Sequence, residues 1–303
     1  MKFSEVSLKL KKDWSRRVKE GSLSKITLSG YLDRLKRAES IFGKRILCLI
    51  KQSDILEDRA ETAAKLSNVT SNRELFVIKQ VFKKGVALHA VREDLASPIS
   101  YLSEKDNERD RFLFPKEIEE LVKAAGKTRA KYYLPPIIFL GAEHGASKQE
   151  ILSLRWSKVD FDYRGEGMIT LYRTKNKKKR TEVFMPRTRQ ALLDWKNHLE
   201  RSRKKRRISP KSDYVFCRID GTPLKEFKKA WKQILELCGI KNFHFHDLRH
   251  TYCSNLLLAG SNLKDVKEMI GHRDISMTDR YSHLTFEHKR LQQVRLSEHY
   301  SKI

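Results

Sequence analysis

Apolar positions in the first hundred residues recur at helical spacing. Leu28, Tyr31, Leu32 and Leu35 fall at i, i+3, i+4 and i+7 with arginine and lysine between them, the stripe of an amphipathic helix that Thr27 is placed to cap. Trp14 and Val18, four apart, mark a shorter helix before it. Ser71 and Glu74 have the spacing of a capping box, so a further helix is expected to start there. It would turn Leu75, Ile78 and Phe82 inward and continue through Val86 and Val91. Asp94 to Pro98 closes the set, because the residue before a proline resists the helical region. Residues 99–110 turn polar and charged and read as a linker.

A second region opens near Arg111, where Pro115 stands at a helix start with glutamates in the first turn. An apolar helix is expected after Pro135 and Pro136. Met168–Tyr172 and Arg180–Met185 read as two strands around a basic turn. Pro186 to Leu199 is an amphipathic helix with Leu192, Leu193 and Trp195 inward, and the charge run 201–207 after it is expected to be solvated. Asp213 to Phe216 reads as a short strand. Leu224 to Cys238 reads as a helix with Phe227, Trp231, Ile234 and Leu235 on one face. The apolar run Leu256–Leu258 ends at Gly260. Asn262 with Asp265 caps the next helix, which stops at Gly271. The pattern predicts a mainly α chain with a small β component, in two domains, 1–98 and 111–303.

Charge sharpens this picture. The formal net charge is +26, and residues 1–100 carry 21 Lys or Arg against 12 Asp or Glu, the remainder 43 against 26. Both parts are basic, so a polyanion touching both is the natural partner. Cys48, Cys217, Cys238 and Cys253 form no CxxC pair and read as reduced thiols, neither a disulfide frame nor a zinc site. The first residues are too charged for a signal peptide. The apolar run Leu134 to Ala142 holds two prolines and is far short of a membrane span. The chain is expected to stay inside the cell, with no membrane partner.

The stretch His244 to Leu284 concentrates the chemistry. His246 and Arg249, three apart, share a helix face. His272 and Arg273 follow Gly271, and Tyr281 lies nine residues after His272. Two imidazoles, a guanidinium and a phenol make a phosphate-handling set. His246 and His250 are spaced like a metal pair, but no third ligand or HExxH glutamate accompanies them, so no metal is expected.

HDLRH, LLLAG, IGHRD and Tyr281 within DRYSHL, in that order, resemble the carboxyl-terminal signature of the tyrosine recombinases, the phage integrase family. The resemblance implies a two-domain C-shaped clamp on DNA. Residues 1–98 would be a helical core-binding domain, and 111–303 the α+β catalytic domain with residues 284–303 as a tail. It also implies that Tyr281 is the nucleophile, forming a 3′-phosphotyrosyl link, and that Arg249 clamps the phosphate while His272 hydrogen-bonds it. His246 would act as acid/base or orienting donor, and Lys175 on the hairpin as general acid. Arg173, Lys177, Lys178, Lys179, Arg180 and Arg273 would contact DNA phosphates. No cofactor is implied. The expected partner is double-stranded DNA carrying a recombination site, bound by a homo-tetramer that is monomer or dimer when free. The tail, with Leu284, Phe286, Leu291, Val294, Leu296, Tyr300 and Ile303 among charges, would pack on a neighbouring protomer or fold back on its own domain. The setting would be the cytoplasm and nucleoid of a prokaryote, or the host of a phage or mobile element.

One position departs from the pattern. Glu150, Leu152, Leu154, Arg155 and Trp156 fit the family, but its first catalytic arginine, two residues after the glycine matched by Gly145, is Ser147. A hydroxyl donates one hydrogen bond but lacks the charge and two-point reach of guanidinium. Lys148 is turned about 100° away on a helix, and His144 is a poorer stand-in still. By analogy with deleted oxyanion-hole donors, the loss is expected to slow cleavage roughly 100- to 1,000-fold. An engineered variant, a lineage that compensates and a relative that binds without cutting all fit the sequence. So does a monomeric, topoisomerase-IB-like nicking and rejoining enzyme.

Overall fold

The computed structural model describes residues 1–104, 111–173, 178–271 and 285–301, which divide into two compact units, Met1–Glu108 and Arg109–Ile303. The first unit is helical: α1 (Phe3–Lys19), α2 (Lys25–Phe42), α3 (Gln52–Lys65) and α4 (Asn68–Ala87). Its core gathers Phe3, Trp14, Leu35, Phe42, Leu75, Ile78 and Phe82. Two caps fall earlier than the sequence reading placed them. Ser24, not Thr27, caps α2, accepting from the Thr27 amide at 3.0 Å. Ser67, not Ser71, caps α4, accepting from the Thr70 amide at 3.2 Å. Each helix gains a turn because a hydroxyl three or four residues upstream competes successfully for the orphan amides. Ser71 instead donates to the Arg59 carbonyl, and Glu74 pairs with Arg37 at 3.2 Å inside the unit. Val91 is buried but lies beyond the end of α4.

The second unit is built around α6 (Leu134–His144), which follows α5 (Pro115–Gly126). Prolines in its first turn cost no hydrogen bond there, and its apolar surface runs all round, so it is buried on every side. It packs against α5, α8 (Pro186–Arg206) and α10 (Asp247–Leu258). The approach to α10 is close: a Cβ on Gly141 would lie 2.7 Å from Leu248 Cδ1. Between them in sequence come α7 (Lys148–Leu152), β1 (Val159–Asp160), β2 (Met168–Arg173) and β3 (Lys178–Val183), then α9 (Lys228–Leu237). The helices α11 (Leu263–Ile270) and α12 (Thr285–Tyr300) complete the unit.

The strands form one antiparallel sheet in the order β1-β2-β3, with Leu171 opposite Arg180 and Ile169 opposite Glu182. Mainly α with a small sheet is therefore the architecture, as the periodicity predicts. Three local readings change. The helix expected to end at Leu199 continues to Arg206 through the run 201–207, which is largely exposed as expected and whose cations suit the carboxyl end of the dipole. Residues 213–216 make only an isolated bridge, Tyr214 to Arg155. The helix expected from Leu224 starts at Lys228, with Phe227 as its cap residue. Among the described residues no helix is long and apolar enough to cross a membrane.

Candidate active site

Helix α10 begins with Asp247, whose carboxylate accepts from the His244 amide at 2.7 Å, so His246 stands at the cap and Arg249 one turn in. The His246 ring meets the His250 ring edge-on, centroids 5.5 Å apart. Arg249 is 6% exposed. Its Nη1 donates to the Gly145 carbonyl at 2.7 Å and its Nη2 to the Ile270 carbonyl. Those carbonyls close α6 and α11, both of which end at a left-handed glycine, Gly145 (φ 56°) and Gly271 (φ 69°). Helix carboxyl ends carry partial negative charge, so two of them converging hold a cation in a buried place. Arg249 Nη1 also lies 3.7 Å from Glu150 Oε2.

Ser147 serves a structural purpose. Its amide donates to Glu150 at 2.7 Å and its hydroxyl accepts from the Glu150 amide at 3.4 Å, a capping box that starts α7. Lys148 is exposed, its ammonium over the Phe227 ring. His144 is 1% exposed, with Nδ1 2.8 Å from Glu182. The Tyr252 ring lies against Gly145, and burial pushes its phenol well above the ordinary range.

The hairpin residues separate by face. Opposed residues in an antiparallel pair project to the same side, and Arg180 and Glu182 face Leu171 and Ile169, which are buried. Arg180 is thereby turned inward, its side chain 15% exposed, and it pairs with Glu182. Lys179 lies opposite Tyr172 on the outer face and is exposed. Of the other expected site residues, Tyr281, His272, Arg273, Lys175 and Lys177 lie outside the described residues, and Arg173 and Lys178 are described in backbone only. The sequence reading overlooked Glu182 as a partner, and it overlooked the carbonyls at the two helix ends. Strand alternation was the available signal for the first, and nothing in side-chain identity marks the second.

Arg249 is thus held by main-chain carbonyls at the ends of two helices, beside the β2–β3 hairpin. The profile of the phage integrase family matches residues 111–288, more than half of the chain. The chain belongs to that family, the tyrosine recombinases, a class of DNA strand transferases. A tyrosine recombinase of Pseudothermotoga lettingae is 24% identical over 263 residues, covering 81% of this chain and 86% of the relative. The fold matches the Tn1549 transposon integrase, solved with transposon right end DNA, at a TM-score of 0.75 and 20% identity over 98% of this chain and 100% of that one. It also matches a lambda integrase tetramer bound to a Holliday junction, at a TM-score of 0.70 and 12% identity over 93% and 77%.

Proposed function

We propose that the chain cuts and rejoins DNA at a specific site, integrating or excising a mobile element through a covalent 3′-phosphotyrosyl intermediate. The observation that carries this is Arg249, held in a carbonyl cleft within the HDLRH motif, in a chain whose sequence continues to IGHRD and Tyr281. The Tyr281 phenol gives its proton to His246 as its oxygen attacks phosphorus, the bond to the 5′-oxygen breaks, and Lys175 donates the proton that oxygen needs. The phosphodiester gains negative charge on the way. Arg249 neutralises it through the non-bridging oxygens, His272 hydrogen-bonds one of them, and His246 orients the proton transfers. Each preorganised donor lowers the barrier by about 2.7–4 kcal/mol. The phosphotyrosyl link keeps the bond energy for rejoining, so no nucleotide cofactor is needed.

The substrate is double-stranded DNA, met by the basic first unit as well as by the hairpin lysines. Four copies act together on the junction, as the lambda integrase neighbour does, with the tail contributing to assembly. The setting is the nucleoid of a prokaryotic host. Ser147 favours a second reading, a relative that occupies a DNA site without cutting it. A nicked suicide substrate separates the two: the proposal expects DNA covalently attached to the parent chain and no adduct from Tyr281→Phe. Tight binding with no adduct, even after Ser147→Arg, would leave only the second.

A further inference from the structure

Arg249 is not alone in its cleft. Arg180 Nη2 donates to the His144 carbonyl at 2.6 Å and its Nη1 to the Met269 carbonyl at 2.9 Å. Arg249 takes the next carbonyl along at each helix end, Gly145 and Ile270. The two guanidinium groups thus ride neighbouring rungs of the same two helix ends. They also share a carboxylate: Glu150 Oε1 is 3.9 Å from Arg180 Nε, and Glu150 Oε2 is 3.7 Å from Arg249 Nη1. Glu150 is itself buried.

We infer that Arg180 is a positioning residue for strand cleavage, the second guanidinium of the site, entering from β3 in the absence of a cation at position 147. The inference rests on the reading of the site as a strand-cleaving centre. Charge balance makes the case. With Arg180 present, two guanidinium groups face two carboxylates, Glu150 and Glu182. Without it, among the described cationic groups Glu150 would keep only Arg249, and Glu182 only the His144 imidazole. The excess negative charge would then sit in a low-dielectric cleft and oppose the charge that builds on an attacked phosphodiester. Arg180 also keeps Glu150 from monopolising Arg249. Its Nε is buried and makes no hydrogen bond among the described residues. A guanidinium in a sheet's buried face is a costly placement. A chain with 64 Lys and Arg has no need to bury one for solubility.

The test is single-turnover adduct formation on a nicked suicide substrate at saturating DNA, with affinity measured separately. Arg180→Gln is expected to bind within about threefold of the parent yet form adduct roughly 100- to 1,000-fold more slowly. Two second changes should each restore at least tenfold in that background: Glu182→Gln, which removes the surplus negative charge, and Ser147→Arg, which returns a cation. Ser147→Arg should change the parent by a smaller factor than it changes Arg180→Gln. Arg180→Lys, keeping the charge, should stay within about tenfold of the parent. A purely structural Arg180 would be rescued by Glu182→Gln in stability alone and not by Ser147→Arg. Parental cleavage in Arg180→Gln, failure of either rescue at parental affinity, or equal factors for Ser147→Arg in both backgrounds overturns the inference. Should Arg180→Gln not fold, the charge-balanced Arg180→Gln, Glu182→Gln double variant carries the Ser147→Arg comparison. The parent's own adduct tests the underlying reading, and Arg180 is judged on ratios to the parent. No adduct from the parent or from Ser147→Arg removes the underlying reading, whereas an adduct from the parent with unchanged ratios removes only the role of Arg180.

Discussion

Replacing Gly145 by alanine should be among the most damaging one-carbon changes in the catalytic unit. The residue sits at φ 56°, where an L side chain is strained by about 1–2 kcal/mol. Its added Cβ would lie 2.6 Å from Tyr252 Cδ1, and 3.3 Å from both Cε1 and Cγ, against a ring that α10 holds in the core. Overpacking of that kind costs about 1–3 kcal/mol. The two together come to about 2–5 kcal/mol, a fall in melting temperature of roughly 2–4 °C for each kcal/mol in a unit of this size. Gly126, at the end of α5 with nothing within 4 Å of an added Cβ, is the control: alanine there should stabilise by about 0.4–1 kcal/mol. Urea titration followed by tryptophan fluorescence reads this unit well, since Trp156, Trp195 and Trp231 belong to it and only Trp14 to the other. The chemistry should suffer too, because the Gly145 carbonyl holds Arg249 at 2.7 Å. Adduct formation at saturating DNA is expected to fall at least tenfold while affinity holds. A Gly145→Ala chain within about 0.5 kcal/mol of the parent would refute the reasoning.

Glu74, buried beside Asp58, has its carboxyl pushed up to about 7 by burial despite Arg37 at 3.2 Å. The folded state therefore holds this proton to higher pH than the unfolded chain. The contribution is complete below pH 4.5 and is lost as pH rises through about 7. It is worth on the order of 3 kcal/mol. Glu74→Gln should flatten the decline in stability of the first unit between pH 5 and 8; an unchanged slope counts against the assignment. DNA affinity should fall steeply with salt, and Lys179→Ala should weaken binding across sequences while reducing the salt slope by about one, measured by titration at several salt concentrations. In α12, Val294, Leu296 and Tyr300 are 47%, 52% and 66% exposed. Deleting residues 284–303 should abolish recombination between two sites in a plasmid assay; survival of recombination would show that the tail is dispensable for assembly.

Elements with local causes were legible in the sequence. Proline at the start of α5, Asn262 before α11 and the apolar run of α6 each act within a few residues of themselves, and each is found where its chemistry puts it. Caps were misread where two hydroxyls compete: Ser24 and Ser67 precede the residues that looked best placed. A short strand was read at 213–216, but the segment finds only a single bridge partner. The candidate site was half legible. Arg249 is marked by its motif and lies in the clamp. Arg180 was read as one of several DNA phosphate contacts, because strand register, a tertiary property, decides which face it takes.

The cradle at the ends of α6 and α11 is made of main-chain oxygens, and every amino acid brings one. Three of its four rungs, at His144, Met269 and Ile270, can drift in side-chain identity without erasing it; only Gly145 is held by its own geometry. If Arg180 supplies the charge that position 147 lacks, the berth is open to an arginine from either element. In such a centre the backbone fixes where a cation sits, and the side chain that supplies it is the exchangeable part.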